Sequence, residues 1–275
     1  MRSGFTALLA LCLGVVLAFL AIPIIALFTE VPLGDVPGLL RDPAVQDTLR
    51  VTVRTNAIAN VLILAFGTPA AYLLATRHFK GRALVITVIE LPLVLPPAVA
   101  GIGLLAAFGT GGLFGGALQD NGIVIPFTEW AVVMAVVFVA SPFYLRQAIS
   151  AFESVDPTFH DAARTLGASP GRTFFRIALP LAASGLVAGW VLAFARGIGE
   201  FGATIVFAGN VRGETGTLTL TIYEQLEASF DVALSIGILL VIISAVVLLS
   251  YKLLSWRRSS STSPTPFVRS SSAPA

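Results

Sequence analysis

Few side chains in this 275-residue chain are able to do chemistry. Cys12 is the single cysteine and lies in an apolar stretch, so neither an intrachain disulfide nor a cysteine metal site is expected. The only histidines, His78 and His160, fall between the apolar stretches, and a histidine-based catalytic or metal cluster is not expected either. Gly167-Ala-Ser-Pro-Gly-Arg-Thr173 has the outline of a phosphate-binding loop. Its glycines are separated by three residues rather than four, Arg stands in place of Lys, and no strand precedes it, so it is not one. Two charges remain inside an apolar run, Arg196 and Glu200, at the i, i+4 spacing of one helix face. Charges inside a span are costly and face a bundle interior or a wet cavity. The pair is either a mutual ion pair fixing helix packing or the border of a translocation path. In the second case the guanidinium fork would greet an oxyanion. Glu200 offsets that attraction, so a tight anion site within this chain is not expected.

The polar segment with the most pattern is Asp161-Ala162-Ala163, three residues, Gly167, nine residues, Ile177, one residue, Leu179-Pro180. Asp156 is placed as an N-cap, with Pro157 at the first helical position. Phe159, Ala162, Ala163 and Leu166 then fall at i, i+3, i+4 and i+7 on one apolar face. Gly167 is placed to end that helix in a left-handed conformation. Ser169-Pro170 repeats the cap-and-proline start, Arg172 and Arg176 share a face of the second helix, and Pro180 opens the next span. Such a hairpin either lies in the lipid headgroup layer or inserts into a partner's groove.

These residues must be held by membrane helices. The chain is 56% apolar and 12% charged, with mean hydropathy +0.90; a soluble domain carries about 25% charged residues. A bilayer needs about 20 apolar residues per helix, and six stretches qualify: about 5–28, 56–76, 84–108, 127–149, 181–207 and 232–256. The first is too long for a secretory signal and reads as a retained span. The fourth is the weakest. Twelve Lys/Arg fall at the N-terminus, in the 77–82 and 146–180 loops and in the tail, against Arg41, Arg50, Arg54 and Arg212 in the alternate loops. Both ends are therefore expected in the cytoplasm. The outer loops, with Glu129 at the outer end of the fourth span, hold ten acids against those four bases, an acidic outer surface. Counting about 1.5 Å per residue, Arg196 lies roughly 22 Å from the cytoplasmic end of its span. Gly185, Gly189, Gly197, Gly199 and Gly202 make that span small-sided, which favours a central position and a dimer contact. Pro92, Pro96 and Pro97 interrupt the third span, as a fixed kink or as a gate or cavity lining. The six glycines between Gly109 and Gly122 read as a flexible connector, and the Ser- and Pro-rich 259–275 as a disordered tail. The transmembrane domain is thus 1–258, with the hairpin loop at 150–180, and no internal repeat is seen.

The hairpin resembles the EAA loop of ABC importer permeases, the membrane halves of binding-protein-dependent uptake systems. The match falls at Ala162, Ala163, Gly167, Ile177, Leu179 and Pro180, with Asp161 one methylene short of the family's Glu. Glu90-Leu-Pro-Leu-Val-Leu-Pro-Pro97, Ala195 to Thr204, Phe207 to Asn210 and Thr217 to Tyr223 are similar to the molybdate branch, and sulfate permeases share much of the Gly-Glu-Phe-Gly segment. The resemblance covers roughly residues 45–255.

It implies an all-α integral membrane protein of six transmembrane helices with the MetI-like permease fold, in the cell (inner) membrane. The hairpin becomes a cytoplasmic coupling helix, with Arg172 among its residues. The function implied is the permease subunit of an ATP-driven importer for molybdate or tungstate, or alternatively a sulfate/thiosulfate permease in a heterodimer. No cofactor, metal or nucleic acid is implied. The implied partners are two ABC ATPase subunits, a periplasmic or lipid-anchored substrate-binding protein and a second permease copy, within the bilayer. Arg196, Glu200, Pro96 and Pro97 become candidates for the path or for helix pairing. A secondary ion-coupled transporter is the rival class.

Overall fold

A computed structural model of the chain describes residues 2–30, 34, 38, 41 and 43–259. Among them the chain is helical with no strand. In order the helices are α1 (Arg2–Glu30), α2 (Pro43–Thr76), α3 (Arg82–Val94), α4 (Pro97–Phe108), α5 (Gly115–Asp120), α6 (Glu129–Glu153), α7 (Pro157–Thr165), α8 (Pro170–Ile198), α9 (Gly202–Phe207), α10 (Leu218–Ala228) and α11 (Phe230–Ser259). Of the expected tail 259–275, all but Ser259, the last residue of α11, lies outside the described residues.

Helix α6 is the hub: α2, α3, α4, α8 and α9 all pack on it. Its stretch has the lowest mean hydropathy of the five unbroken apolar helices, 1.7, yet 56% of its apolar window is buried, whereas α1 has 3.0 and 0%. The span that is weakest by hydropathy is therefore the best packed. A helix surrounded by protein needs small and polar groups for close contact, while one facing lipid needs only grease. Tyr144 illustrates this. Fully buried, its hydroxyl shares a 2.6 Å hydrogen bond with Thr68 Oγ1 of α2. Gly67 makes room, since a Cβ there would lie 3.0 Å from the Tyr144 ring.

The small face of α8 meets the same hub. A Cβ added at Gly185 would sit 2.5 Å from that of Ala151, at Gly189 3.1 Å from Gln147 Cβ, and at Gly197 2.9 Å from Val136 Cγ1. The chain's own α6 thus occupies three of the five glycines, Gly185, Gly189 and Gly197, on the face expected to contact a second copy.

Three spans depart from their expected courses. The second extends thirteen residues beyond Asn56, back to Pro43. Its added turns carry Thr48, Thr52 and Thr55, all buried, and Thr52 Oγ1 accepts from Leu218 N at 2.9 Å. The third is no single helix, because α3 and α4 meet at Leu95-Pro96 with a bend of 117°. Proline removes the N–H and its ring clashes with the carbonyl four residues back, and Leu95 and Pro96 are both extended here. The fifth ends early, at Ile198, and resumes as α9 after Gly199-Glu200-Phe201. It also begins early, because Pro180 does not open the helix. The turn Phe174–Ala178 widens to a π-turn, Leu179 N–H donates to Phe174 O five residues back, and the helix runs through from Pro170. Widening relieves the place where Pro180 lacks a donor. Five unbroken apolar helices and one bent pair result.

The glycine run after α4 is folded rather than a loose connector. Gly112 N donates to Gly109 O at 2.7 Å, and Gly115 comes so close that a Cβ would lie 1.8 Å from Gly109 O. Only glycine permits that approach.

Candidate functional site: a capped hairpin and two broken helices

The hairpin is built by local rules. Asp156 accepts from Thr158 N at 2.8 Å and caps α7. This bond holds the Asp156 carboxyl below the usual carboxylate range. Gly167 follows with φ +72, the left-handed turn, and Ala168 N returns to Ala163 O at 2.9 Å. Ser169 Oγ then accepts from Arg172 N at 3.3 Å and caps α8.

Of the expected apolar face of α7, only Ala163 is buried; Ala162 is exposed, Phe159 is 50% exposed and Leu166 87%. Within the chain that face is uncovered. Asp161 pairs with Arg164 at 3.6 Å, Arg172 and Arg176 point to solvent, Ile177 and Leu179 are half-buried, and Pro180 is exposed. His160 belongs to α7, with its ring on Tyr72 of α2.

Arg82 was not singled out in the sequence. Its Nε donates to Leu74 O at 2.7 Å and its Nη2 to Glu153 Oε1 at 2.5 Å. One guanidinium thereby joins the end of α2, the start of α3 and the end of α6 beside the hairpin. Nearby, Arg146 lies 3.8 Å from Glu90.

At the far end of α8, Arg196 Nη2 lies 2.6 Å from Glu200 Oε2, though not aligned as a hydrogen bond. The Glu200 side chain is 1% exposed and that of Arg196 26%. The other oxygen of Glu200 accepts from Ala203 N at 2.7 Å, capping α9, and Thr219 Oγ1 donates to Glu200 O at 2.7 Å. Glu200 is thus the residue around which the fifth span breaks. Pro96 and Pro97 stand on the facing break, where α4 begins, and α4 packs on α9.

A polar row leads to this point along α2: Thr48, Thr52, Asn56 and Asn60, each buried and four residues apart. That spacing was visible in the sequence as a polar stripe on an apolar helix. Asn60 Nδ2 donates to Asn56 Oδ1, and Asn56 rests against Gly197.

Residues 67–260 match the family described as binding-protein-dependent transport system inner membrane component. The chain belongs to that family. This member resembles the molybdenum transport system permease protein ModB of Mycobacterium bovis, with 41% identity over 85% of this chain and 88% of the relative. It also resembles the sulfate transport system permease protein CysW of Synechocystis, with 35% identity over 86% and 88%. Its fold is that of a chain in the crystal structure of a bacterial alginate ABC transporter in complex with alginate pentasaccharide-bound periplasmic protein. The TM-score is 0.73 at 19% identity, covering 91% of this chain and 94% of that one. The chain is therefore an ABC transport permease with several membrane-crossing helices.

Proposed function

We propose that this chain is the membrane subunit of an ATP-driven importer for an oxyanion, molybdate (or tungstate) first, working as two copies. The hairpin carries the reading. It is rigidly capped, has a left-handed glycine at its apex, and presents Phe159 and Leu166 uncovered. Apolar anchors on a short helix suit insertion into a partner's groove, and the partner is a separate ATPase subunit, one per copy. The chain itself hydrolyses no nucleotide. The hairpin faces the cytoplasm, as do both termini, following the excess of Lys/Arg on that side. ATP-driven closure of the two ATPase subunits moves the hairpins together and rocks the bundle between inward- and outward-facing states.

Molybdate is supported by the relatives named for molybdenum transport. An outer surface with ten acids against four bases repels a dianion, so capture falls to an external binding protein. The second reading, a sulfate permease paired with a different permease chain, is favoured by the similarity to CysW.

The test is uptake into proteoliposomes holding this chain, its ATPase and its binding protein. Accumulation of molybdate against an excess of sulfate is expected. Sulfate uptake that molybdate does not compete against, or saturable uptake without the binding protein, overturns the reading.

A further inference from the structure

Between the hairpin and the end of α2 lies a cavity of about 840 Å³. Tyr72, Arg77 and His78 line it from the end of α2, and His160 and Arg164 line it from α7. The volume falls in the range of about 300–1,000 Å³ that holds small-molecule ligands.

Its walls carry two arginines, Arg77 and Arg164, against two carboxylates, but both carboxylates are already engaged, Glu153 by an arginine from outside the walls. Glu153 is held by Arg82 at 2.5 Å and Asp161 by Arg164 at 3.6 Å. Among the described residues the Arg77 side chain has no ion pair or hydrogen bond, and His78 stands next to it. The His160 ring stacks on Tyr72, centroids 6.2 Å apart and planes at 23°. Its Nε2 is buried with no hydrogen-bond partner, and such an orphan in a folded protein calls for an explanation. A metal cation finds no free carboxylate here. A group with several acceptor oxygens and negative charge does find complementary chemistry, because a guanidinium offers a two-pronged donor fork and imidazoles add N–H donors.

We propose that this crevice binds a tetrahedral oxyanion through Arg77 and the neighbouring imidazoles. Its occupant ties the hairpin to the end of α2. The anion comes from one of two sources with the same chemistry: a free oxyanion in solution, or the phosphate of an anionic lipid at the bilayer surface. The proposal rests on the reading above only in treating the hairpin as the coupling element.

The test uses the full chain in nanodiscs, where both faces are open to solution, so binding is measured without transport. Discs contain phosphatidylcholine alone or with phosphatidylglycerol, and the probes are molybdate and inorganic phosphate. The readout is amide hydrogen exchange across residues 157–173. A free-anion source predicts saturable slowing by either probe in phosphatidylcholine discs. A lipid source predicts slowing in phosphatidylglycerol discs with no probe added. In both cases Arg77→Gln weakens the response about tenfold, equivalent to about 1.4 kcal/mol, with helix content by circular dichroism unchanged; His78→Gln weakens it less. No slowing under any condition overturns the proposal, as does slowing that Arg77→Gln leaves intact. Protection seen only on adding the ATPase subunit also overturns it, assigning the crevice to a side chain of that partner. Failure of molybdate uptake in the proteoliposome assay would sink the importer reading and leave this result standing.

Discussion

Gly202 rests directly against Pro97, so that a Cβ at position 202 would lie 2.7 Å from Pro97 Cβ. Two helix breaks, one made by prolines and one by Glu200, therefore meet at a contact with no room for a methyl group. Gly202→Ala is expected to destabilise the fold by about 1–3 kcal/mol through overpacking, read as a lower Tm in detergent. Gly199→Ala, whose Cβ would find its nearest neighbour at 3.8 Å, is the control and should melt close to wild type. Equal melting of the two variants would refute the contact.

Arg196 and Glu200 should respond unequally to replacement. Removing Arg196 strands a carboxylate that is 1% exposed, and breaking a buried pair from one side costs about 3–5 kcal/mol. Arg196→Met should lower the folded yield. Glu200→Gln keeps an oxygen for the Ala203 N–H and should be milder. Arg196→Met combined with Glu200→Gln should recover most of the loss. A double variant as poor as the sum of the singles would show that the two do not act as a pair.

Gly167 carries φ +72 with open space around it, so substitution there strains the backbone without a clash. Gly167→Ala is expected to cost about 1–2 kcal/mol locally and Gly167→Val more, with Gly167→Asn tolerated. Membrane insertion should survive while uptake and transport-stimulated ATP hydrolysis fall. Full coupling in the Val variant would contradict this account of the turn.

Asp156 gives a pH dependence of known sign. Its carboxyl is held below the ordinary 3.8 by the Thr158 N–H. The cap's contribution is therefore complete above the unfolded-state value and is lost as pH falls through the lower folded value. Amides of α7 should stay protected at pH 5 and lose protection only in stronger acid. Asp156→Asn should remove that acid transition while keeping the cap, and Asp156→Ala should lower protection at every pH.

The clamp made by Arg82 needs two donors in a fixed fork, one for Leu74 O and one for Glu153. A lysine offers a point charge in place of the fork. Arg82→Lys should loosen the 74–82 connection, seen as faster hydrogen exchange there, to nearly the extent of Arg82→Gln. Wild-type exchange in the Lys variant would reduce the clamp to simple charge pairing.

The local parts of this protein were written in short windows of its chain. Asp156-Pro157, Gly167 and Ser169-Pro170 specify two caps and a turn through contacts within five residues, and each is found as expected, because neighbours in sequence need no distant partner to meet. The apolar runs likewise announce membrane helices, since lipid demands the same composition everywhere. What folding in three dimensions decided lay beyond those windows. The fourth span has the lowest mean hydropathy of the five unbroken helices, yet it became the hub, because packing against protein rewards its alanines and a hydrogen-bonded Tyr144. The glycine face of α8 went to α6 within the same chain, a choice between identical small-residue contacts that only assembly makes. Glu200 looked like one half of an ion pair; its second oxygen, turned to the Ala203 N–H, ends one helix and starts another. The joining of Arg82 to Glu153, and of Tyr72 to His160, unites residues 71 and 88 positions apart, a proximity no periodicity encodes.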